Sequence, residues 1–167
     1  MLGYIIHDGR DDHNGRMAEI AMSLMADGMK LAGAVQTNQR QAGSRCDVEL
    51  TILGAGGAPI VISQSLGSGA QGCRLNGDAL ERAVARVAGR LTLGTDLLIV
   101  NKFGKQEAAG RGFRDLIALA IGEGIPVLTT VAPTYLEAFL DFAGGEAAQL
   151  HWWDAADWCR GARGAAA

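Results

Sequence analysis

Asp96-Leu97-Leu98-Ile99-Val100-Asn101-Lys102-Phe103-Gly104-Lys105-Gln106-Glu107 holds the most continuous apolar strand of the chain, followed at once by charge and glycine. Leu97 to Val100 offers no polar residue to face solvent, which predicts a strand buried on both faces. Such a strand belongs in the middle of a parallel sheet covered by helices, so its flanks should alternate between helix and strand.

They do. Upstream, Leu2 to Ile6 reads as a strand, and Met17, Ile20, Ala21, Leu24 and Met25 share one helical face that Gly28 closes. Leu31 to Gln36 is a second strand, and Val48, Leu50 and Ile52 alternate as a half-exposed third. Gly54-Ala55-Gly56-Gly57 before Pro59 to Ser63 predicts a small antiparallel hairpin. Asp78 is the expected N-cap of a helix carrying Leu80, Val84, Val87 and Leu91. Downstream, Asn101 to Gly112 reads as a loop, with a helix bearing Phe113, Leu116, Ile117, Ala120 and Ile121 after it. Val127 to Val131 is a strand, and Pro133 opens a helix that Gly144-Gly145 ends. A short strand near Gln149 to Trp152 and a helical turn through Trp158 complete a single domain over residues 1–160, with 161–167 expected as a flexible tail.

The bulk composition fits that domain. At 167 residues the chain is long enough for one continuous core, and its 49% hydrophobic and 20% charged content is that of a globular protein. No apolar run approaches the roughly 20 residues that span a bilayer, and Leu2-Gly3-Tyr4-Ile5-Ile6 lacks the basic start of a secretory signal. A cytoplasmic protein with no membrane association is expected. A net charge of -3 argues against a general nucleic-acid binder. Cys46, Cys73 and Cys159 form no paired motif, so neither a disulfide framework nor a zinc knuckle is indicated.

Ligands of parallel sheets bind beyond the carboxyl ends of the strands, which points to two loops. In the first, His7 to Arg16, a phosphate-binding frame sets Gly15-Arg16-Met17 where Gly-Lys-Ser/Thr belongs, with Arg10 in place of the first glycine. Asp11, Asp12 and Asn14 equally suit a helix cap, and Asp8, Asp11, Asp12 or His13 are weak candidates for a hard metal ion. His7 and His13 have no spaced partner for a zinc motif. The second loop gathers Lys102, Lys105, Arg111 and Arg114 with Gly104, Gly110 and Gly112 ahead of a helix, as an anion site requires. A solvated charged loop is the competing reading. Glu107 is a candidate general base or magnesium ligand, or an ion-pair partner of Lys102 or Arg111. Cys73 beside Arg74 is a weak metal or reactive-thiol candidate against burial as an inert thiol, and the same choice applies to Cys46. Trp152, Trp153 and Trp158 pack the C-terminal turn or line an interface with another subunit or a partner protein.

The motif order resembles the small bacterial and archaeal nucleoside triphosphatases of the P-loop class. It resembles more closely an uncharacterised bacterial family related to them and associated with molybdenum-transport ATP-binding proteins. The resemblance runs from Leu2 to Val131 and rests on Leu31-Ala32-Gly33-Ala34-Val35-Gln36-Thr37, Gly72-Cys73-Arg74-Leu75 and the stretch from Asp96 to Glu107. It implies a three-layer P-loop NTPase-like α/β fold, a mainly parallel sheet with helices on both faces. It also sets Asn101 in place of the Asp that directs magnesium, Lys102 in place of the catalytic Glu, and Met17 in place of the metal-binding hydroxyl. Three parts of a hydrolytic apparatus are thus missing together. The expectation is a non-hydrolysing protein that binds a nucleotide or an oxoanion such as molybdate, sulfate or phosphate. Its contacts would come from Arg10, Asn14, Gly15, Arg16, Asn101, Lys102, Gly104, Lys105, Arg111 and Arg114. The alternatives are a weak NTPase or nucleotide-dependent transferase using Glu107, and a regulatory or metal-insertion partner docking through its tryptophans.

Overall fold

The computed structural model describes residues 1–39, 47–65, 73–92 and 94–165. Seven strands make one sheet: β1 (Leu2–Ile6), β2 (Leu31–Gln39), β3 (Asp47–Ile52), β4 (Ile60–Val61), β7 (Leu97–Phe103), β8 (Val127–Val131) and β9 (Ala147–Gln149). Their order is β4-β3-β2-β7-β8-β1-β9. The run from β2 to β9 is parallel throughout, and β3 and β4 continue it antiparallel. The expected hairpin is therefore an extension of the main sheet. A separate antiparallel ribbon pairs β5 (Ser63–Ser65) with β6 (Cys73–Leu75).

Helices α1 (His13–Ala26) and α6 (Ala155–Ala165) cover one face of the sheet, where Met17, Leu24 and Cys159 pack on Ile5, Ile99 and Leu128. Helices α2 (Gly77–Ala88), α4 (Arg114–Gly122) and α5 (Leu136–Ala143) cover the other, with Val87, Ile117 and Phe139 against Leu98, Val100 and Val127. Alternate residues of β7 serve the two cores, and Leu97 to Val100 are all at most 1% exposed. That is why this stretch lacks the polar alternation of a one-sided strand. At Gly33 in β2 the backbone has φ +130° and lies so close to β7 that a Cβ would collide with the Ile99 carbonyl. Only glycine fits there.

Four sequence expectations are corrected. The cap of α2 is Asn76, whose side chain accepts from Ala79 N, and Asp78 sits in the first turn, where its charge favours the helix dipole. Strand β9 spans Ala147–Gln149, paired with Leu2 to Tyr4 of β1, and the chain leaves the sheet after Leu150 N donates to the Tyr4 carbonyl. Residues from Gly161 are helical as far as Ala165, since Ala162 is buried and Arg163 pairs with Asp96 at 3.3 Å. The fourth, at the end of β7, shapes the site.

Candidate functional site

Strand β7 does not end at Val100. Val100 pairs with Thr129 and Phe103 with Val131, so three residue steps of β7 run beside two of β8. A strand with one extra residue kinks locally and re-aims its side chains. Asn101 and Lys102 occupy this irregularity, held by Thr130 Oγ1, which donates to the Asn101 carbonyl at 2.7 Å. The Asn101 side chain turns inward, 5% exposed as a residue, where Oδ1 accepts from Gln36 N of β2 at 2.9 Å. Its Nδ2 donates to Asn14 Oδ1 of α1 at 2.7 Å. One amide thus joins α1, β2 and β7.

The first loop is organised around a helix cap. Helix α1 begins at His13, capped by Asp12, whose Oδ1 accepts from Gly15 N at 3.0 Å. A Cβ at Gly15 would collide with that carboxylate, so glycine here serves the cap and not a phosphate. The first-turn residue facing the end of β7 is Asn14, and Met17, one turn further on, is wholly buried in the core. Where the resemblance sets Asn101 in place of a magnesium-directing acid, the structure shows two neutral amides bonded to each other. Arg16 points elsewhere, 3.9 Å from Asp11 and 5.6 Å from the centre of the Trp152 ring. Asp8 Oδ1 accepts from Arg10 N, fixing the turn.

His7, which the sequence offers only as a histidine without a zinc-motif partner, follows β1 and stacks on His13 with ring centres 3.8 Å apart. Its only sequence signal was a second histidine six positions on, which becomes contact because the chain reverses at Gly9, φ +77°. The buried His7 Nδ1 has no hydrogen-bond partner. Burial, then the charge of His13 and then of Lys102, lowers the His7 pKa from 6.5 to about 4, against a raising influence of Asp8. Folding therefore favours neutral His7. Its contribution is fully present above pH 6.5 and is lost as pH falls toward 4. After allowance for solvent screening, stability should drop by on the order of 1 kcal/mol between pH 7 and pH 5 from this group. Urea unfolding at both pH values would measure it, and in His7→Gln that part of the difference should vanish.

A cavity of about 780 Å³ opens at the carboxyl ends of β2 and β7, on the face carrying α2. Lys102, Lys105 and Arg111 line one side of it, with Asn101, Gly104 and His7. Lys102 is exposed overall, yet the wall around its ammonium withholds enough water to lower its pKa, with Glu107 acting in the opposite direction. Arg111 Nε donates to Gln106 Oε1 at 3.0 Å.

Glu107 lines the cavity too, but its carboxylate is engaged. It lies in the short helix α3 (Lys105–Ala108), where Oε2 accepts from Gly104 N at 3.0 Å and Oε1 from Phe113 N at 3.1 Å. Gly112, at φ +60°, leaves room for Oε1 where a Cβ would collide. The side chain is a loop clasp. Arg114 leaves the cavity as well, donating to the Glu107 carbonyl at 3.2 Å with its guanidinium carbon 4.5 Å from the Phe142 ring centre. Of the ten residues expected to meet the anion, Asn101, Lys102, Gly104, Lys105 and Arg111 line the cavity. Asn14 reaches it through Asn101, while Arg10, Gly15, Arg16 and Arg114 do not line it.

Among the described residues no group of three His, Cys, Asp or Glu could hold a metal ion, so Asp8, Asp11, Asp12 and His13 gather no further ligand. Cys46 and the side chain of Cys73 lie outside what is described. Cys159 is buried, and burial raises its thiol pKa to about 12, which keeps it an inert thiol. Trp158 packs over Gly3, where a Cβ would come 2.8 Å from its ring. Trp152 is partly buried under Arg16, and Trp153 is 75% exposed, stacked on His151. Among the described residues no helix is long and apolar enough to cross a membrane.

Comparison with known proteins agrees with this geometry. A family model described as "Protein of unknown function (DUF2478)" matches residues 2–158. The chain belongs to this family. Over 142 residues the DUF2478 chain is 42% identical to "Molybdenum import ATP-binding protein ModC 2" of Bradyrhizobium diazoefficiens, a match over 84% of the chain. It spans 16% of that protein's length. Among solved structures it resembles a human cancer-related nucleoside triphosphatase, with a TM-score of 0.62, 12% identity, and coverage of 96% of this chain and 94% of that one. The fold is P-loop NTPase-like, a mainly parallel three-layer α/β scaffold.

Proposed function

We propose that this DUF2478 chain binds an anion, a nucleotide or an oxoanion, at the β7–α3 loop and does not hydrolyse it. The observation that carries the reading is an imbalance of charge around the cavity. Lys102, Lys105 and Arg111 face it, and Glu107, the one carboxylate among its described lining residues, spends both oxygens on backbone N–H groups. A concave site with three cations against one engaged carboxylate favours negative charge. The Asn14–Asn101 amide pair supports the absence of hydrolysis, because neutral amides hold magnesium poorly where a hydroxyl and an acid would hold it well. The name of the molybdenum-import relative favours ATP or molybdate among the anions, in a cytoplasmic setting.

The test is a thermal-shift series with ATP, GTP, phosphate, sulfate and molybdate, each with and without magnesium. A ligand that prefers the folded state raises its stability. At least one anion should raise the melting temperature equally in magnesium and in chelator. Lys102→Ala and Arg111→Ala should each weaken that ligand about tenfold, the loss of roughly one charge-assisted hydrogen bond. Magnesium-dependent phosphate release from ATP or GTP would overturn the reading. So would the lack of a shift with every anion.

A second reading, a regulatory or metal-insertion partner protein, is favoured by Trp153, whose 75% exposure beside His151 is unusual for so large an apolar ring. It predicts that Trp153→Ala abolishes a protein interaction while leaving every anion shift intact.

A further inference from the structure

The cavity is larger and less polar than a bare oxoanion needs. Its cationic side is formed by Lys102, Lys105 and Arg111, but the opposite wall is built from Ala34 of β2, Val48 and Leu50 of β3, Leu75 of β6 and Leu80 of α2. These residues come from four separate elements, and they form a surface that no phosphate oxygen could use. Leu75 is 37% exposed although it borders this wall. An exposed leucine over an apolar hollow leaves hydrophobic surface in water that a ligand can cover. A volume of about 780 Å³ lies within the range of pockets that enclose whole organic ligands.

The placement is equally informative. The apolar wall belongs to the face packed by α2, and none of the residues from Asp8 to Met17 lines the cavity. The loop before α1, where a P-loop scaffold would cradle phosphate, is closed by its own cap and by the Asn14–Asn101 bond. The cavity lies on the α2 side of the sheet.

We infer that the ligand is an organic anion with two parts. A phosphate or similar group sits among Lys102, Lys105 and Arg111, and a flat or branched apolar body about the size of one aromatic ring inserts between the β2–β3 face and α2. This rests on the anion-binding reading above and narrows it. Inorganic oxoanions satisfy one half of the site alone, and the second half supplies most of the discrimination. The apolar body enters across Leu75, so β6 and the start of α2 set the specificity while the β7–α3 loop sets the charge.

Inorganic phosphate and phenyl phosphate separate the two halves, since they share the anionic group and differ by one ring. Isothermal titration of the full chain should give phenyl phosphate an affinity at least about tenfold above phosphate, the effect of burying part of one ring. Leu75→Gln, a neutral change at a partly exposed position, should bring that ratio down several-fold. Lys102→Ala should weaken both ligands together. Equal affinities for the two probes in the wild type, or a ratio unchanged in Leu75→Gln, would overturn the two-part site while leaving the anion reading in place. Binding of neither probe, or binding of both untouched by Lys102→Ala, would overturn the anion reading itself.

Discussion

Asn101→Leu should lower the stability of the domain by about 3 kcal/mol, because it strands two buried polar groups that each cost roughly 1–3 kcal/mol. Leucine matches asparagine in size and leaves no cavity. What it removes is the acceptor for Gln36 N and the donor to Asn14 Oδ1, at a residue only 5% exposed. For a domain of this length the melting temperature should fall by about 10 °C. A double-mutant cycle with Asn14→Ala sharpens the assignment. Asn14 keeps its other contacts when Asn101 changes, so the two losses should overlap by about 1 kcal/mol or more instead of adding. Asn101→Asp is the informative contrast. Rotation of the Asn14 amide would let it donate to the new carboxylate, and Gln36 N would keep its acceptor, so this variant should unfold closer to wild type. It restores an acid where the resemblance expects one, yet no magnesium-dependent hydrolysis should appear, since the neighbouring Asn14 offers an amide and no hydroxyl, and Lys102 a cation and no second acid. If Asn101→Leu melts within 0.5 kcal/mol of wild type, roughly the range of a neutral surface change, the amide pair is incidental and the account of the site fails with it.

The same residue marks the boundary of what the sequence could reveal. Leu2–Ile6 and Val127–Val131 were legible to the residue because short runs of apolar and β-branched residues flanked by polar or glycine-bearing turns have one reading in this kind of sheet. The helical stretch from Pro133 to Gly144, a 3-10 turn through Tyr135 that leads into α5, was legible because proline and a left-handed glycine mark its two ends. Asn101 to Phe103 looked like loop because polarity was taken to end the strand. Whether β7 continues depends on its register with β8, and register is a property of two strands that neither shows alone.

Side-chain roles were harder still. Arg16 and Arg114 matched the chemistry of anion binding, and both carry the right charge beside the right loops. Their directions are set by Trp152 and Phe142, aromatic neighbours 136 and 28 residues further along the chain whose positions only the packed fold supplies. Gly15 reads as phosphate-binding in the sequence, whereas in the fold its smallness answers to the Asp12 cap. The apolar wall under α2 left no trace at all in the sequence. Ala34, Leu50, Leu75 and Leu80 each look like ordinary core residues, and only their convergence around one space gives them a second meaning.

Glu107→Gln is expected to cost about 3 kcal/mol of stability, as much as the loss of one charge-assisted hydrogen bond with a donor left facing a donor. The carboxylate accepts from Gly104 N and Phe113 N, nine residues apart, so it closes the loop that carries Lys105 and Arg111. An amide has one oxygen to offer. Whichever N–H it serves, its NH2 group meets the other. Anion affinity should fall with the same substitution even though Glu107 need not touch the ligand, because two of the three cations ride on the clasped segment. A general base would behave differently: its replacement by glutamine would leave folding nearly intact and remove turnover. Amide hydrogen exchange separates the two. In Glu107→Gln the protection of the Gly104 and Phe113 amides should drop well before that of the β7 and β8 strands, since the loop opens locally while the sheet holds. Unchanged protection at both amides, with unaltered melting, would return Glu107 to the role of an acid free for chemistry, and its carboxylate would then compete with an anion for the three cations.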